Sequence, residues 1–291
     1  VGVVILPEHR WWVAEPKWRA VEQYGFDHAW TYDHLGWRSL VDETWFGAVP
    51  TLAAAAMVTS YIRLGTFVAS PNFRHPVRFV RELTALDDLS DGRFSLGVGA
   101  GGSGYDSTVL GGEELPPRER SARFAEFVEL TAELLRNRRV DYSGEYYTAV
   151  GARSWPGCVQ QPRLPLLVAA NGRRSMRVAA VHGQGWVTTG LLAENQDEWW
   201  RGVAELCKRF DATLADAGRD PSEVDRYLSL DAAPVYSVSS VQAFTDAAWR
   251  AEELGFTDVV AHWPRTDGIY AGHESVLESV ADEVLPALRA R

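Results

Sequence analysis

Residues 63–102 decide the fold, and they read RLGTFVASPNFRHPVRFVRELTALDDLSDGRFSLGVGAGG. The segment contains two short runs rich in apolar and β-branched residues, 63–69 and 93–98, and each has the length of a strand. Between them lies an amphipathic stretch, 76–89, that predicts a helix. A strand, a helix and a second strand in this order form a β-α-β unit, whose parallel strands are joined by a right-handed crossover.

The same alternation of short and long elements extends in both directions and counts to eight. The predicted strands are Val3–Leu6, His28–Thr31, Arg63–Ala69, Arg93–Val98, Leu166–Ala169, Gly185–Thr188, Tyr227–Leu230 and Asp258–Ala261. The predicted helices are Pro16–Tyr24, Phe46–Thr59, Pro76–Leu89, Glu119–Leu135, Ser175–His182, Asp197–Ala217, Val241–Leu254 and Glu274–Arg289. Eight repeats favour the α/β class and a closed (β/α)8 TIM barrel over an open sheet.

Two further observations define this barrel. The first strand–helix turn reads LPEHRWW, residues 6–12, and contains no glycine, whereas a dinucleotide-binding open sheet needs GxGxxG at that place. Residues 140–150 read VDYSGEYYTAV, which predicts a hairpin with glycine at its bend, and 151–165 read as a loop. We therefore predict one barrel domain over residues 1–291, with residues 140–165 inserted after the helix that follows the fourth strand.

Composition narrows the possible partners. The chain has 291 residues, 46% of them hydrophobic, and a formal net charge of −10, which argues against a nucleic-acid or anionic-membrane surface. No apolar run is long enough to span a membrane and no signal-peptide pattern occurs, so we expect a cytoplasmic protein. Cys158 and Cys207 are too few for a disulfide framework or a zinc site, and we predict that they are packing residues and that no metal is bound.

Polar and glycine-rich clusters follow the predicted strands, where the active site of a barrel lies. They are Asp33, His34 and Trp37 after the second strand, Asn72, Arg74 and His75 after the third, Gly99–Asp106 after the fourth, 170–175 after the fifth, 188–190 after the sixth, and His262, Trp263 and Arg265 after the eighth. Random placement would scatter such residues over both ends of the barrel. Their concentration at one rim predicts an active mouth that takes a small-molecule substrate.

Two of these clusters predict specific chemistry. The turn AANGRRS, residues 169–175, leads into a helix, and the free N–H groups there would bind an anion such as a phosphate, with Arg173 and Arg174 adding charge. An ordinary turn, with Ser175 as the helix cap and both arginines solvated, is the alternative at this point. His34 follows Asp33 directly at the end of a strand, and an imidazole there could transfer a proton near neutral pH.

Four segments resemble the luciferase-like superfamily of flavin- and F420-dependent oxidoreductases. RLGTFVASPNFRHP (63–76) and ELTALDDLSDGRFSLGVGAGG (82–102) resemble its third and fourth strands with the helix between them. YGFDHAWTYDHLGW (24–37) is similar to the second strand of the branch that uses the deazaflavin F420. LPLLVAANGRRSMRVAAVHGQGWVTTG (164–190) resembles the phosphate-binding turn and the sixth strand. The resemblance is clear over about residues 2–190 and weaker beyond.

The resemblance implies a cofactor in the barrel mouth. Its ring would rest against a bulge with a non-prolyl cis peptide at Phe67–Val68, and its phosphate would lie on the turn 169–175. The residues implied to hold it are Asp33, His34, Phe67, Val68, Ala69, Ala100, Gly101, Ala169, Ala170, Asn171, Gly172, Arg173, Arg174, Ser175 and Thr188. Asp33 and His34 are the candidate catalytic residues, with His34 as proton donor or base. F420 is the expected cofactor, and FMN, which shares the ring shape and a phosphate, is the alternative.

The sequence predicts the substrate less specifically than it predicts the cofactor. F420-dependent sugar-phosphate dehydrogenases carry a glutamate after the GxG of the fourth strand, and Gly102 stands at that place here, which argues against glucose 6-phosphate. The chain is also similar to F420H2-dependent reductases of antibiotic pathways that reduce a cyclic imine. The candidate substrate-binding residues are Trp37, Trp45, Arg74, Tyr105 and Arg265. An FMN-dependent monooxygenase and a non-catalytic flavin-binding barrel are the alternatives, and family members usually form homodimers.

Overall fold

The computed structural model describes residues 1–290 and contains eight parallel strands closed into a barrel. The barrel strands are β1 (Gly2–Val4), β2 (His28–Thr31), β3 (Arg63–Ala69), β4 (Phe94–Gly99), β7 (Leu166–Ala169), β8 (Gly185–Thr188), β9 (Asp225–Ser229) and β10 (Asp258–His262). Around the barrel they follow the order β1-β10-β9-β8-β7-β4-β3-β2. Residue Val4 lies beside both Trp30 and His262, so the pairing of β1 with β10 closes the sheet. The prediction of a (β/α)8 barrel is confirmed.

Helices surround the barrel, and the longer connections, such as 32–47, 100–116 and 263–273, follow the carboxyl ends of strands. The bounds of the helices are α1 (Trp11–Gln23), α2 (Ala48–Val58), α3 (Pro76–Leu89), α4 (Tyr105–Thr108), α5 (Pro117–Arg136), α6 (Arg173–His182), α7 (Gln196–Asp216), α8 (Val241–Glu253), α9 (Glu274–Ser279) and α10 (Leu285–Arg289). Within residues 1–290, none of these helices is both long and apolar enough to cross a membrane. Both cysteines are free thiols, with Cys207 buried.

The alternation of side chains along each strand divides the core into two parts. One part fills the barrel interior and includes Val4, Trp30, Phe67, Val187 and Val260. The other part packs between the strands and the helices. Because successive residues point to opposite faces, the residues two positions beyond Trp30 and Val260 also face the interior, at the end of the barrel where the strands finish.

Two helices differ strongly from their predicted bounds, whereas α3 agrees at both ends and the other five differ by one or two residues at an end. The first helix begins at Trp11, five residues before its predicted start, and includes Pro16. The last predicted helix, Glu274–Arg289, is interrupted by a π-helical segment, Val280–Val284, before Pro286. Proline has no N–H to continue the regular ladder of hydrogen bonds, and the widened turn accommodates it.

The predicted hairpin is present outside the barrel. Its strands are β5 (Arg139–Ser143) and β6 (Thr148–Arg153), so the second strand extends three residues beyond the predicted end at Val150. The bend is held by the Glu126 carboxylate of α5, which accepts hydrogen bonds from the backbone N–H groups of Tyr146 and Tyr147 at 3.0 and 2.7 Å. The hairpin is therefore tied to the helix that precedes it.

Arg93 stabilises the end of the barrel opposite the mouth. Its guanidinium donates to the carbonyls of Ala56, Thr59, Ile62 and Ser90 at 2.8–3.1 Å. Its Nη1 also donates to the Thr59 hydroxyl at 3.0 Å. The carbonyls at the end of α2 and α3 have no intrahelical partners, so this one side chain satisfies acceptors from two helices and the loop between α2 and β3.

We expect Arg93→Met to lower the free energy of unfolding by about 3 kcal/mol, because several partly buried carbonyls lose their donors while the apolar stem is kept. Urea unfolding followed by circular dichroism measures the change. Arg209→Met, on an exposed position of α7, is the matched control and should change stability by less than about 0.5 kcal/mol. Equal stability of the two variants would contradict the role assigned to Arg93.

Candidate active site

The sequence-predicted residues lie at the rim formed by the carboxyl ends of the strands, and they divide between two halves of it. The residues predicted to hold the ring and the phosphate follow or end β3, β4, β7 and β8, which are neighbours in the barrel. The predicted catalytic residues Asp33 and His34 follow β2, beside β3. The residues for the ring and the phosphate therefore form a continuous arc, and we call the remaining arc, from β9 through β10 and β1 to β2, the substrate half of the mouth. Two candidate substrate-binding residues, Arg74 and Tyr105, follow β3 and β4 and lie outside that half.

The turn after β7 has the geometry of an anion site. Helix α6 begins at Arg173, and no side chain caps its first turn, whose cap residue is Gly172. The Ser175 hydroxyl instead donates to the Gly172 carbonyl at 3.0 Å, so Ser175 is not the N-cap of the ordinary-turn alternative. The first-turn N–H groups, which have no intrahelical acceptor, face outward at an exposed glycine. This end of the helix fits a phosphate group.

Asn171 fixes the shape of this turn. Its amide Nδ2 donates to the Gly190 carbonyl at 2.7 Å and to the Thr189 hydroxyl at 3.1 Å, and its Oδ1 accepts from the Thr188 hydroxyl at 2.6 Å. These bonds join the loops after β7 and β8. The predicted residues Asn171 and Thr188 therefore contact each other, and their contacts hold the turn rather than extend into it.

Two arginines of the turn are exposed and free to meet an anion from solvent. Arg173 and Arg174 lie in the first turn of α6 and are exposed. Arg174 Nη1 makes one long hydrogen bond of 3.4 Å to the carbonyl of Arg118 on α5. No carboxylate pairs with Arg173 or Arg174 within residues 1–290, so their charge is available to a phosphate or to a longer anionic group.

The ends of β3 and β4 form a flat wall next to this turn. The Phe67–Val68 peptide is cis, as the family resemblance implied, and the register between β3 and β4 shifts between Thr66 and Ala69. A Cβ at Gly99 would lie 2.9 Å from the Val68 side chain, so only glycine permits this approach. Gly101 adopts a φ of +74°, which favours glycine, and it turns the chain away from the wall. Phe67, Val68, Ala69 and Ala100 are thus brought together.

His34 forms a close pair with a carboxylate that the sequence did not assign. Its Nδ1 lies 2.6 Å from Asp106 Oδ2, and Asp106 Oδ1 accepts from the backbone N–H groups of Leu35 and Gly36 at 2.9 and 3.2 Å. Asp106 is buried, whereas 26% of the His34 side chain is exposed. With Nδ1 engaged, Nε2 of His34 makes no protein hydrogen bond among the described residues, and it can give or take a proton.

Asp33 is held in a different way. Its two carboxylate oxygens accept from Arg74 Nη2 at 2.6 Å and Nε at 3.1 Å, and Arg74 Nη1 donates to Glu82 at 2.6 Å. Burial alone would lower the pKa of Arg74, but the two carboxylates outweigh it and raise that pKa above its ordinary value. Both carboxylate oxygens of Asp33 are therefore occupied by Arg74, which suits a residue that positions the loop. Arg74 is also a candidate substrate-binding residue. Because its single positive charge is already shared by Asp33 and Glu82, it is poorly suited to bind a carboxylate of the substrate.

The other candidate substrate-binding residues are distributed around the rim. Trp37 is buried and its ring stacks on Tyr270, with the ring centroids 6.2 Å apart. Trp45 donates from Nε1 to the His34 carbonyl at 2.9 Å, and Tyr105, at the start of α4, is 47% exposed. Arg265 forms ion pairs with Glu8 and Glu43 and, like Arg74, has no free charge for an anion.

Sequence reasoning missed two groups at the mouth. Asp106 lay inside the glycine-rich segment after the fourth strand, and a single acid within it was the available signal. The second group contains Tyr32, Asp231, His262 and Tyr270, which are all buried and joined by hydrogen bonds. His262, the last residue of β10, was noted at a strand end but was given no role. The two tyrosines resemble ordinary core residues in a single sequence.

Comparison with known proteins agrees with the sequence resemblance. The family model described as luciferase-like monooxygenase matches residues 17–234. An F420-dependent glucose-6-phosphate dehydrogenase of Beutenbergia cavernae is 32% identical over 93% of this chain and 91% of that relative.

Two solved structures share the fold over nearly the whole chain. An F420-dependent secondary alcohol dehydrogenase in complex with an F420–acetone adduct has a TM-score of 0.82 at 18% identity and covers 99% of this chain and 98% of that one. The monooxygenase RslO1 of Streptomyces bottropensis has a TM-score of 0.80 at 20% identity, with 99% of both chains covered. Both solved structures have the same barrel fold as this chain, and the family model matches most of its sequence. This chain belongs to the luciferase-like monooxygenase family.

Proposed function

We propose that this chain is an F420-dependent oxidoreductase that transfers a hydride between the deazaflavin and a small organic substrate. The observation that carries the proposal is the His34–Asp106 pair, which lies beside the wall formed by β3 and β4. The uncapped turn at Gly172 completes the arc with a site for a phosphate. The 32% identity to an F420-dependent dehydrogenase over nearly the whole chain supports the choice of cofactor.

Each part of the arc has a separate role in this proposal. The N–H groups of Gly172–Ser175 and the charges of Arg173 and Arg174 bind the phosphate and the anionic tail of the cofactor. The wall of Phe67, Val68 and Ala69 would lie behind the cofactor ring, so that the ring would face the substrate half of the mouth. When bound, F420 supplies the hydride chemistry that no side chain can provide. His34 then exchanges a proton at Nε2, and Asp106 keeps its ring in place through Nδ1.

We further propose a substrate other than glucose 6-phosphate. Gly102 stands where sugar-phosphate dehydrogenases of the family carry a glutamate, and a Cβ there would meet no atom within 4 Å. The position is thus exposed and carries no acid. A cyclic imine of the pyrroline carboxylate type, reduced during the synthesis of an antibiotic, remains our proposed substrate from the sequence resemblance. A homodimer and a cytoplasmic location likewise remain predictions.

The first test is a titration of the purified apoprotein with F420 and, separately, with FMN, followed by fluorescence. We expect a dissociation constant for F420 in the micromolar range or below and much weaker binding of FMN, because the arginines at α6 favour the longer anionic tail. Tighter binding of FMN than of F420 would indicate that the protein is an FMN-dependent monooxygenase instead. Binding of neither cofactor would contradict the proposed function.

The phosphate turn is tested by Gly172→Asp. The φ of −101° and ψ of 153° at Gly172 suit an aspartate, which would cap α6 and occupy its N–H groups with a negative charge. We expect the affinity for F420 to fall at least about tenfold, while the melting temperature stays the same or rises.

The matched control for this change is Gly47→Asp, which makes the same substitution at the uncapped N-terminus of α2. This variant should retain the F420 affinity of the unaltered protein. If both variants lose affinity equally in the same fluorescence titration, the phosphate does not bind at the α6 turn.

Two variants test the proton-exchanging pair. We expect His34→Ala to lower turnover about 100-fold or more while the F420 dissociation constant changes less, because it removes the proton-transfer group. Asp106→Asn keeps the shape of its residue but removes the charge that holds Nδ1, and it should lower turnover by a smaller factor. Steady-state oxidation of F420H2 by 1-pyrroline-2-carboxylate measures both. Unchanged turnover in His34→Ala would show that the role is wrong.

A further inference from the structure

Four buried polar side chains form a hydrogen-bonded chain on the inner face of the mouth. Asp231 follows β9, His262 ends β10, Tyr32 follows β2, and Tyr270 lies in the loop after β10. Their relative exposures are 9%, 1%, 7% and 8%. Neither the phosphate turn nor the His34–Asp106 pair includes any of them. Buried polar groups in such a line are costly unless every donor and acceptor is paired, so their arrangement requires a structural or chemical reason.

Asp231 determines which nitrogen of His262 carries a proton. Its Oδ2 accepts from the backbone N–H of His262 at 2.6 Å and lies 2.9 Å from Nδ1 of the same residue, and its Oδ1 accepts from the Ser237 N–H at 2.8 Å. An ionised carboxylate only accepts hydrogen bonds, so Nδ1 must be the protonated nitrogen. Nε2 is then left to face the Tyr32 hydroxyl, which is 2.8 Å away.

The chain can hold one proton more or less without leaving a group unpaired. When His262 is neutral, Tyr32 donates to Nε2 and accepts from the Tyr270 hydroxyl, 3.3 Å away. When His262 is an imidazolium, Nε2 donates to Tyr32, and the Tyr32 hydroxyl is free to donate outward. Asp231 stabilises that imidazolium. Burial raises the pKa of Tyr32 well above its ordinary range, so the phenol passes a proton on rather than keeping a negative charge.

The four hydrogen-bonded residues lie in the substrate half of the mouth. Apart from Asp33 and His34, which follow β2, the candidate cofactor residues end or follow β3, β4, β7 and β8, and the four hydrogen-bonded residues come from β2, β9 and β10 and the loops after them. The Tyr32 side chain faces the barrel interior, two residues beyond Trp30, and its ring packs edge-on against the rings of His34 and Trp37 at 5.7 and 5.0 Å. Tyr32 thus lies between the His34 pair and the substrate half.

The surroundings keep the two tyrosine rings in place. His262 stacks on Tyr270, with ring centroids 3.8 Å apart and an angle of 14° between the planes. Arg38 packs over Trp37 from the rim, and its positive charge lowers the pKa of both Tyr32 and Tyr270, against the larger effect of burial. Rings held from both sides position their hydroxyl groups with little freedom, as proton transfer requires.

We propose that Tyr32 is a catalytic residue that exchanges a proton with the substrate, and that His262 and Asp231 position and recharge it. The proposal rests on the proposed hydride transfer. Reduction of a C=N or C=O bond adds a hydride to carbon and a proton to the heteroatom; Tyr32 gives that proton and regains one from Nε2 of His262. A deazaflavin bound there would lose one proton for each hydride that it supplies, and Nε2 of His34 would accept that proton. His262 would regain its proton from solvent before the next turnover. Oxidation of an alcohol or amine reverses each step.

The first experiment needs no substrate. The side-chain nitrogens of His262 are observed by NMR in protein labelled with 15N-histidine, and the signals are assigned by their loss in His262→Gln. We expect an Nδ1 proton at low field and an Nε2 frequency that shifts in Tyr32→Phe. Tyr227→Phe is the matched control, because Tyr227 lies in the same interior cluster but outside the chain, and it should leave both signals in place. If the Nε2 frequency of His262 is unchanged in Tyr32→Phe, the proposal is wrong.

The second experiment measures proton transfer itself. Single-turnover oxidation of F420H2 by 1-pyrroline-2-carboxylate should be about 100-fold slower in Tyr32→Phe, with an F420 dissociation constant within threefold of that of the unaltered protein. The rate in the unaltered protein should fall in D2O, and that solvent isotope effect should change in Tyr32→Phe but not in Tyr227→Phe. An unchanged rate in Tyr32→Phe, or an equal fall in Tyr227→Phe, would overturn the role of Tyr32.

The two experiments also separate this inference from the proposed function. If the unaltered protein binds F420 but does not oxidise F420H2 with this imine, the substrate class is wrong, and the NMR response decides whether the proton chain exists. If it does not bind F420, the proposed function fails first, and the inference that rests on it fails as well.

Discussion

Closure of the parallel sheet is the constraint on which the rest of this structure depends. Pairing of β1 with both β10 and β2 removes every free edge, and because each pairing around the barrel is parallel, all eight strands finish at one rim. Residues that are far apart in sequence then become neighbours. His34 and Asp106 are 72 positions apart and Tyr32 and His262 are 230 apart, yet both pairs are within hydrogen-bond distance. An opening between β2 and β3 would separate His34 from Asp106, and an opening between β1 and β10 would separate Tyr32 from His262.

Closure also divides the mouth between two kinds of chemistry. The arc from β3 to β8 offers glycines and free backbone N–H groups, beside Arg173 and Arg174, because a flat ring and a phosphate need close approach and hydrogen-bond donors. The arc from β9 to β2 presents ionisable and aromatic side chains. Glycines at Gly99, Gly101 and Gly172 belong to the first arc, and Asp231, His262 and Tyr32 to the second. This difference in composition separates a surface that binds from one that can move protons.

The sequence predicted the parts of this architecture that depend on local patterns. The bounds of β2, β3, β7, β8 and α3 agree with the structure, because each is a short buried run or an amphipathic stretch between clear turn residues. The start of α1 was missed because tertiary packing tolerates Pro16, which the local pattern treated as a boundary. The break before Pro286 was missed because the predicted helix ran through that proline.

The partners of the candidate site residues were harder to predict than their positions. His34 was correctly placed at the rim, but Asp106, and the pairing of Arg74 with Asp33 and Glu82, depend on contacts between distant loops. A single sequence does not contain that information. Periodicity therefore predicts which end of the barrel is active, and only the folded structure identifies the partner that gives each side chain its role.

Three histidine–aspartate pairs show how the same two residue types take different roles. His28 accepts from Trp30 Nε1 at Nδ1, 2.6 Å away, and its Nε2 meets Asp258 at 2.8 Å, so both ring nitrogens are used. Burial lowers the pKa of His28, with Asp258 opposing that effect, and the residue is fully enclosed at the closed end of the barrel. It is a structural residue, with no nitrogen left for a ligand.

The two pairs at the mouth differ from this one at the second nitrogen. In both, the carboxylate engages Nδ1, but His34 leaves Nε2 to solvent or a ligand, whereas His262 directs Nε2 to a tyrosine. Chemistry therefore depends less on the presence of a histidine–aspartate pair than on what the remaining nitrogen contacts. A free nitrogen can exchange a proton directly, and one joined to a phenol can do so through it, at a greater distance and in a drier environment. This distinction is why we assign both histidines to proton transfer and neither role to His28.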